Sequence, residues 1–383
     1  PKGGAEKSII NISEGLKQIK DFKVEYYYGQ SHKIIQKIFS WISFEYYFLI
    51  PRILVVINEV KPDVIITQTR ISFAATLGAI LRNKPIINII RDPSDFCPKF
   101  VNVIGYGKAC PQVKNRKICY DCIKNWRSIR ILIGNKPNGW SYSLRASMSN
   151  IAYMIRYFSC KLNLYLLKRA SIILVASELM KSFLAFRVKS DKMRIVNITP
   201  IAEKEGVITT IKKNQILFII PSYDASHKGL DFVLRLAKKI PSGYKMIIVG
   251  NLISSSKLNN EKARITNYGR VSKEELNRLY QSSKITLVPS FFTEAFGRVI
   301  IESILNGTPV ITSPNCGANS FLQDKEYVKV VPLKIQLWRE TIERMIETPI
   351  KITNEERDLI YSKFSISRSI DEFSSLIKNI IKI

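Results

Sequence analysis

Two glutamates, Glu294 and Glu302, lie eight residues apart, where an apolar segment passes through a short loop into a predicted helix that opens at Phe296-Gly297. Over eight helical residues a chain advances about 12 Å and rotates about 80° beyond two full turns. The two carboxylates therefore cannot act on one atom, but they can hold opposite ends of an extended ligand. Backbone amides at the helix N-terminus offer an anion or hydroxyl site between them. An acidic cap and a surface glutamate of an amphipathic helix would give the same spacing, so both interpretations stay open.

Strands alternate with helices on both sides of these glutamates, which predicts parallel sheets covered on both faces. In the first half the predicted strands are residues 23–28, 63–67, 85–90, 171–176 and 193–197, and helices include 72–81 and 177–186. In the second half the predicted strands are residues 216–220, 244–249, 284–288 and 309–313, and the predicted helices are 229–239, 273–282 and 296–305. The predicted fold class is α/β, with two doubly wound, Rossmann-like domains and a ligand crevice at the carboxyl ends of their strands.

The charge of the chain is strongly basic, with 59 Lys and Arg against 31 Asp and Glu and a net charge of +28. Such a surface favours polyanions, namely nucleic acid, anionic lipid or diphosphate substrates, although solvated lysines would give the same number. Between Asp121 and Glu178 there are nine Lys and Arg, many aromatic residues and no carboxylate. Basic and aromatic residues interleaved in this way suit an anionic membrane interface.

A second apolar segment, residues 38–57, is interrupted by Glu45 and by Pro51-Arg52. It has no run of 18 apolar residues, which argues against a transmembrane helix. The sequence therefore predicts peripheral membrane attachment, and a buried core helix is the alternative for this segment. No signal peptide is visible.

Four of the six cysteines, Cys97, Cys110, Cys119 and Cys122, lie within 26 residues, the last two as Cys-x-x-Cys. Four close thiolates suit a tetrahedral structural zinc ion, whereas two disulfides would pin a long loop. Both interpretations give the cysteines a structural role. Four unlinked thiols are the third alternative.

Residues 289–313, with Glu, seven residues, Glu, and Phe-Gly after the first glutamate, resemble the signature of the retaining glycosyltransferases of family 4. Further likenesses follow the family's order along the chain: Lys2-Gly3-Gly4 in its glycine-rich loop, Lys61-Pro62-Asp63 before a strand, His227-Lys228-Gly229 at its donor phosphate and 364–377 in its terminal helix. The resemblance implies the GT-B fold, in which two Rossmann-like domains face each other across a cleft and a C-terminal helix crosses back to the first domain. It also implies that the family's first strand is missing before Pro1.

The resemblance implies these donor-binding roles. Glu302 would bind the ribose hydroxyls of the nucleotide, and Glu294 with the amides of Phe296 and Gly297 would hold hydroxyls of the donor sugar. Lys228 would neutralise the diphosphate as it leaves. The remaining donor-binding residues would be the glycines that let the backbone approach the diphosphate, Gly3 and Gly4, and the residues beside the base, Gly269 and Val271.

Two departures from the family pattern change these expectations. An arginine that usually precedes the phosphate lysine is absent from residues 221–227, so Arg298 is a candidate replacement cation. Where many members carry His-Asp near the reacting sugar, this chain has Arg91-Asp92, followed by the cysteine-bearing loop. This form resembles a subset of the family, and it makes Asp92 a catalytic candidate beside Glu294 and Lys228.

The predicted function is transfer of a sugar from a UDP- or GDP-sugar to a saccharide or lipid-linked acceptor, by a hexosyltransferase attached peripherally to the cytoplasmic membrane face. No cofactor is required for catalysis in this prediction, no DxD-like acidic pair is present to hold a donor metal, and zinc would be structural only. The alternatives are a nucleotide-sugar epimerase, a nucleic-acid-binding protein and a membrane-attached non-catalytic protein. An epimerase needs an acid and a base, for which only His32 and His227 are available. Nucleic acid is not an expected partner, because no nucleic-acid module is recognisable.

The predicted strands and helices, together with the resemblance, also give the expected domain boundaries. Residues 1–200 form the acceptor domain, with the cysteine-rich loop at 97–122 and the basic aromatic insert at 123–170. Residues 201–214 form a polar linker, and residues 215–353 form the donor domain. Helices within residues 354–383 are expected to pack back onto the first domain.

Overall fold

The computed structural model describes residues 4–28, 45–93, 97, 103–104, 108–109, 149–185, 187–201, 211–220, 228–250 and 264–381. The chain divides into two compact units. The N-terminal unit comprises residues 1–105, 109–200 and 366–383, and the C-terminal unit comprises residues 106–108 and 201–365.

The N-terminal unit contains a parallel sheet in the order β1-β2-β5-β6. Its elements are α1 (Gly4–Lys17), α2 (Ile50–Val60), β1 (Ile65–Gln68), α3 (Ser72–Leu81), β2 (Ile86–Ile90), α4 (Ser149–Leu167), β5 (Ile172–Val175), α5 (Glu178–Ala185) and β6 (Met193–Ile195). Two further strands of two residues each are β3 (Val103–Ile104) and β4 (Lys108–Ala109). Every residue of β2 is buried, as expected of a central parallel strand covered on both faces.

Residues 23–28 were predicted to form a strand, but they have no regular secondary structure. The Tyr26 hydroxyl donates a hydrogen bond to Glu14 of α1 at 2.7 Å, and the Lys17 ammonium lies 4.3 Å from the Tyr26 ring centroid. Tyr26 of this segment therefore packs beside a helix and does not join a sheet.

The described part of the apolar segment 38–57 forms the start of α2 and the 3₁₀ turn before it. Ile53 and Ile57 of α2 are buried in a cluster with Phe73 of α3 and Leu166 of α4. For these residues the core-helix interpretation applies. Among the residues that the structure describes, no helix combines the length and the apolar composition needed to cross a membrane.

The terminal helix, α11 (Ile366–Ile381), belongs to the N-terminal unit. It packs so closely on α1 that a Cβ at Gly15 would lie 2.1 Å from Ile370 Cδ1. The Ser369 hydroxyl donates to the Asn197 carbonyl at 2.7 Å, which ties the same helix to the end of the N-terminal sheet.

The C-terminal unit contains a six-stranded parallel sheet in the order β12-β11-β10-β7-β8-β9. Its elements are β7 (Gln215–Ile220), α6 (Leu230–Ala237), β8 (Lys245–Gly250), β9 (Ile265–Gly269), α7 (Lys273–Ser282), β10 (Ile285–Val288), α8 (Arg298–Leu305), β11 (Val310–Thr312), β12 (Val328–Val330), α9 (Ile335–Glu347) and α10 (Asn354–Phe364). Counted from β7, this is the Rossmann order 3-2-1-4-5-6. The order reverses between β7 and β10, and ligands bind such sheets at the carboxyl ends of the two strands that flank this reversal.

Of the described elements of the C-terminal unit, β9, β12 and α9 were not among the predicted strands and helices. Strand β12 has only three residues with Lys329 at its centre, so it lacks an apolar run. Helix α9 completes the core by burying Trp338, Ile342 and Met345 against the sheet.

Lys212, just before β7, is a half-buried cation whose ammonium donates a hydrogen bond to the Thr308 hydroxyl. Burial lowers its pKa to about 8, from an ordinary value of 10.5. The unfolded chain therefore binds more protons than the folded chain between pH 8 and 10.5, and stability should rise with pH across this window. Below pH 8 both states are charged and the folded state carries the full desolvation cost.

We expect Lys212→Met to raise the free energy of unfolding at pH 7 by up to about 3 kcal/mol, at 1.36 kcal/mol per pKa unit, because it keeps the apolar stem and removes the buried charge. Urea unfolding at pH 7 measures the effect. The control is Lys213→Met, at an exposed neighbour. A Lys212→Met protein no more stable than this control would contradict the assignment.

Candidate functional site

The sheet order brings Lys228 and Glu294 into contact. Strands β7 and β10 are parallel neighbours; Lys228 follows β7 and Glu294 follows β10, at the carboxyl ends where the strand order reverses. The Lys228 ammonium forms an ion pair with Glu294 Oε1, and the two side chains are only 23% and 15% exposed. Two residues 66 positions apart in the sequence therefore form one partly buried, charge-assisted contact.

A glycine beside the lysine permits this contact. Gly229 has a φ of +86°, and a Cβ at this position would lie 2.4 Å from the Pro289 carbonyl oxygen. No side chain fits so close to backbone, and the positive φ itself favours glycine. The chain after β7 can thus pass directly against the chain after β10, which places Lys228 beside Glu294.

The loop that carries Glu294 is held by buried polar residues. The Ser290 hydroxyl donates to Glu294 Oε1 at 2.5 Å, and the Asn315 side-chain amide donates to the Ser290 carbonyl at 3.0 Å. The Glu294 amide donates to the Asn315 carbonyl at 2.9 Å, and the Gly317 amide donates to the Glu294 carbonyl at 3.0 Å. Ser290 and Asn315 were not predicted from the sequence. The signal that could have indicated them is that each is a polar residue shortly after an apolar strand.

The helix α8 begins at Arg298, two residues later than predicted, because Gly297 has a left-handed φ of +98° that no helix accommodates. Glu294 lies in the preceding loop, so the helical distance expected between the two glutamates does not apply. A Cβ at Gly297 would lie 3.4 Å from Glu294 Oε2, so the second carboxylate oxygen faces the start of α8.

The Phe296 side chain is buried and cannot contact a ligand. Its ring centroid lies 6.1 Å from that of Phe321 and 5.1 Å from that of Phe364. These rings anchor the loop to the end of α10, so only the backbone of Phe296 is left for a site.

Glu302 is oriented by two partners, one on its own helix α8 and one on α7. Arg298 pairs with its Oε1 at 3.1 Å, and the Tyr280 hydroxyl donates to its Oε2 at 3.3 Å. Burial first, and the charge of Glu302 second, raise the pKa of Tyr280 well above its ordinary value, so this tyrosine remains a hydrogen-bond donor. Arg298, the candidate replacement for the missing phosphate arginine, is thus engaged with Glu302.

Of the two residues expected beside the base, Val271 lies near the same helix. Gly269 ends β9 with a φ of +66°. Val271 packs against a small cluster around Leu279 and Tyr280, to which Val299 of α8 also contributes. The structure thus brings Val271 and α8 onto one cluster.

The remaining candidates lie in the N-terminal unit or outside the described residues. Asp92 is exposed directly after β2, beside the buried Arg91, whose Nε donates to Gln68 Oε1 at 2.7 Å. Gly4 begins α1, and Gly3 lies outside the described residues.

The described residues hold no group of three His, Cys, Asp or Glu side chains that could bind a metal ion. Cys97 is half-buried, and the other clustered cysteines, Cys110, Cys119 and Cys122, lie outside the described residues. Cys316 is buried beneath Glu294, and burial together with that carboxylate raises the pKa of the Cys316 thiol to about 12. This thiol is therefore neutral and is not a nucleophile.

Residues 202–363 match the model of a protein family described as glycosyl transferases group 1. Over 132 residues the chain is 29% identical to a D-inositol 3-phosphate glycosyltransferase of Mycobacteroides abscessus, an alignment that covers 31% of this chain and 29% of that protein. The chain spans less than half the length of the curated relatives that it matches.

Solved structures resemble the chain over nearly its whole length. Anabaena Alr3699/HepE, crystallised with UDP, has a TM-score of 0.65 at 13% identity, covering 99% of this chain and 97% of that one. The lipopolysaccharide outer core galactosyltransferase WaaB has a TM-score of 0.64 at 15% identity, covering 98% and 96%. These structural neighbours are GT-B glycosyltransferases, so the predicted α/β fold with two Rossmann-like domains is confirmed.

The Lys228–Glu294 pair should contribute measurably to the stability of the C-terminal unit, because both groups are largely withdrawn from water. A double-mutant cycle with Lys228→Ala and Glu294→Ala should give a coupling free energy of about 1–3 kcal/mol in urea unfolding. The more exposed pair Arg339–Glu343 on α9 is the control, for which about 0.3–0.5 kcal/mol is expected. Equal coupling free energies in the two cycles would show that the Lys228–Glu294 pair stabilises the protein no more than an exposed ion pair does.

Proposed function

We propose that this protein is a retaining glycosyltransferase that moves a hexosyl group from a nucleoside-diphosphate sugar to a saccharide or lipid-linked acceptor. The observation that carries the proposal is the Lys228–Glu294 pair at the reversal point of a Rossmann-type sheet. It lies within the segment that matches the glycosyl transferases group 1 model. A cation and a carboxylate at this position suit the two parts of such a donor, its phosphates and its sugar hydroxyls.

Lys228 is proposed to stabilise the departing diphosphate, since a fixed cation acts on the charge that develops there. Glu294 accepts hydrogen bonds from donor-sugar hydroxyls, and Ser290 and the backbone bonds of its loop keep the carboxylate oriented. The amides of Phe296 and Gly297 contribute further donors. Because the ion pair holds both side chains before a donor arrives, little side-chain ordering is needed on binding.

Glu302 is proposed to bind the two ribose hydroxyls, because a carboxylate offers two acceptor oxygens on one plane. Tyr280 supports this orientation from the core. When ribose hydroxyls donate to Glu302, Arg298 can turn toward the phosphates in place of the missing arginine. The structural neighbour HepE was crystallised with UDP and with UDP-glucose, which makes uridine donors the first to test and guanosine donors the second.

Charge neutralisation by Lys228 and by the N-terminal amides of α8 is proposed to replace a donor-bound metal. The proposed site of action is the cytoplasmic membrane face.

Two measurements test the proposed mechanism. NMR coupling constants of the anomeric proton in the product show whether the configuration is retained. Turnover in the presence of a chelator shows whether the reaction needs a metal ion. An inverted product would remove the retaining assignment.

Thermal shift with UDP, GDP and ADP tests the donor site directly. We expect one nucleotide, at about 100 times its dissociation constant, to stabilise the wild type by roughly 2.7 kcal/mol. Glu302→Ala should lose most of this stabilisation, because it removes the ribose acceptor.

Glu343→Ala is the matched control, since Glu343 forms the same kind of i,i+4 pair with Arg339. It should respond to the nucleotide as the wild type does. If no nucleotide stabilises the wild type, or if the two variants respond alike, the proposed donor site is wrong.

We also propose a structural role for Cys97, Cys110, Cys119 and Cys122. A zinc site should give about one zinc per chain by elemental analysis, released together with loss of stability by a chelator. Two disulfides should instead leave only Cys160 and Cys316 to react with a thiol reagent in denaturant before reduction. Six reactive thiols and no zinc would overturn both assignments.

A further inference from the structure

Helix α4 exposes large apolar side chains along one face. Phe158, Leu162 and Tyr165 are 58%, 43% and 55% exposed. At 3.6 residues per turn these three lie within about 60° of the helix circumference. We refer to them as the α4 stripe.

A second, broader face of α4 packs into the N-terminal unit. Cys160 and Leu167 are buried roughly opposite the α4 stripe, and Leu166, buried next to the stripe, packs with Phe73 of α3. The helix is therefore held by one face alone, and the α4 stripe is not required for its packing. Single exposed apolar residues are ordinary, but an aligned group rimmed by polar residues marks an interaction surface.

Cations flank the α4 stripe. The Lys161 ammonium lies 5.5 Å from the Tyr157 ring centroid, and the Arg169 guanidinium lies 5.5 Å from that of Tyr165. Arg169 also donates to the Tyr165 hydroxyl at 3.2 Å, and Lys168 is exposed beside it. The sequence contains no carboxylate between Asp121 and Glu178, so α4 brings no acidic side chain to oppose an anionic partner.

We propose that the α4 stripe docks the protein on the surface of an anionic lipid bilayer. Phe158 and Leu162 enter the boundary between headgroups and acyl chains, where apolar side chains of interfacial helices lie. Tyr165 sits at headgroup depth with its ring apolar and its hydroxyl wet. Lys161, Lys168 and Arg169 meet the negative headgroups, which attract basic residues within about a Debye length.

The charge pattern favours a bilayer over other partners. A protein partner for this surface would have to combine an acidic rim with an apolar groove, whereas an anionic bilayer presents both features everywhere. Nucleic acid would use the cations and aromatic rings but would leave Leu162 without a matching contact. The inference deepens the membrane location that is part of the proposed function, and vesicle binding tests it separately from sugar transfer.

Vesicle co-sedimentation of the full chain tests the proposal. We expect binding to phosphatidylcholine vesicles that contain phosphatidylglycerol, weaker binding at higher salt, and none to phosphatidylcholine alone. Phe158→Ser with Leu162→Ser should weaken binding to the anionic vesicles at least about tenfold, which is about 1.4 kcal/mol. Lys161→Gln with Arg169→Gln should weaken binding and flatten its salt dependence.

The matched control is Leu359→Ser on α10, because Leu359 is 46% exposed on a helix with acidic neighbours. It should bind vesicles as the wild type does. Thermal unfolding of all variants should be unchanged, because every substituted side chain is exposed, and Tyr165→Ser is a second variant if the double serine variant unfolds early.

Equal vesicle binding by the α4 variants and the Leu359→Ser control would overturn the proposal, as would a wild type that ignores anionic vesicles at low salt. An RNA gel shift, run in parallel, tests whether the α4 stripe binds nucleic acid and not lipid. If the wild type binds RNA but not vesicles, and the α4 variants lose the shift, the surface is a nucleic-acid interface and the lipid assignment is wrong.

Discussion

The contact between the chain segments that follow β7 and β10 is the constraint on which the C-terminal unit depends. Parallel pairing of the two strands brings their carboxyl ends together, and the absence of a side chain at Gly229 lets the backbone pass the Pro289 carbonyl. The ion pair of Lys228 and Glu294 forms at this point. A bulkier residue at 229 would separate the segments and leave two partly buried charges without each other, which is costly.

The two glutamates of the site are supported in different ways, and this difference fits the different tasks proposed for them. Glu294 is held by a loop whose polar groups bond to one another across the ends of β10 and β11. Glu302 stands on a regular helix and is oriented by Tyr280 from the core. A carboxylate beside reacting atoms benefits from a rigid cage of hydrogen bonds, whereas one that grips a distant part of a ligand needs only a fixed direction.

The chain carries a large positive charge, and part of it is concentrated between Asp121 and Glu178, a segment without carboxylates. Helix α4 combines a buried face that joins the core with an exposed face that is apolar and cationic. Arg169 and Lys161 lie near the rings of Tyr165 and Tyr157, which keeps positive charge next to apolar surface. Folding uses one face of the helix and leaves the other available for association.

Sequence alone predicted the α/β class and the doubly wound order of most elements, because apolar runs of strand length and their bounding Pro and Gly residues are local signals. It also singled out Glu294, Glu302 and Lys228 as chemically significant. It failed at residues 23–28, where Tyr26 bonds to Glu14, and at α9, whose helix depends on burying Trp338. Only the tertiary structure decided that Lys228 meets Glu294, that Ser290 and Tyr280 orient the two glutamates, and that Phe296 points into the core. Each of these depends on which strands become neighbours, and long-range pairing is not encoded in any short stretch of residues.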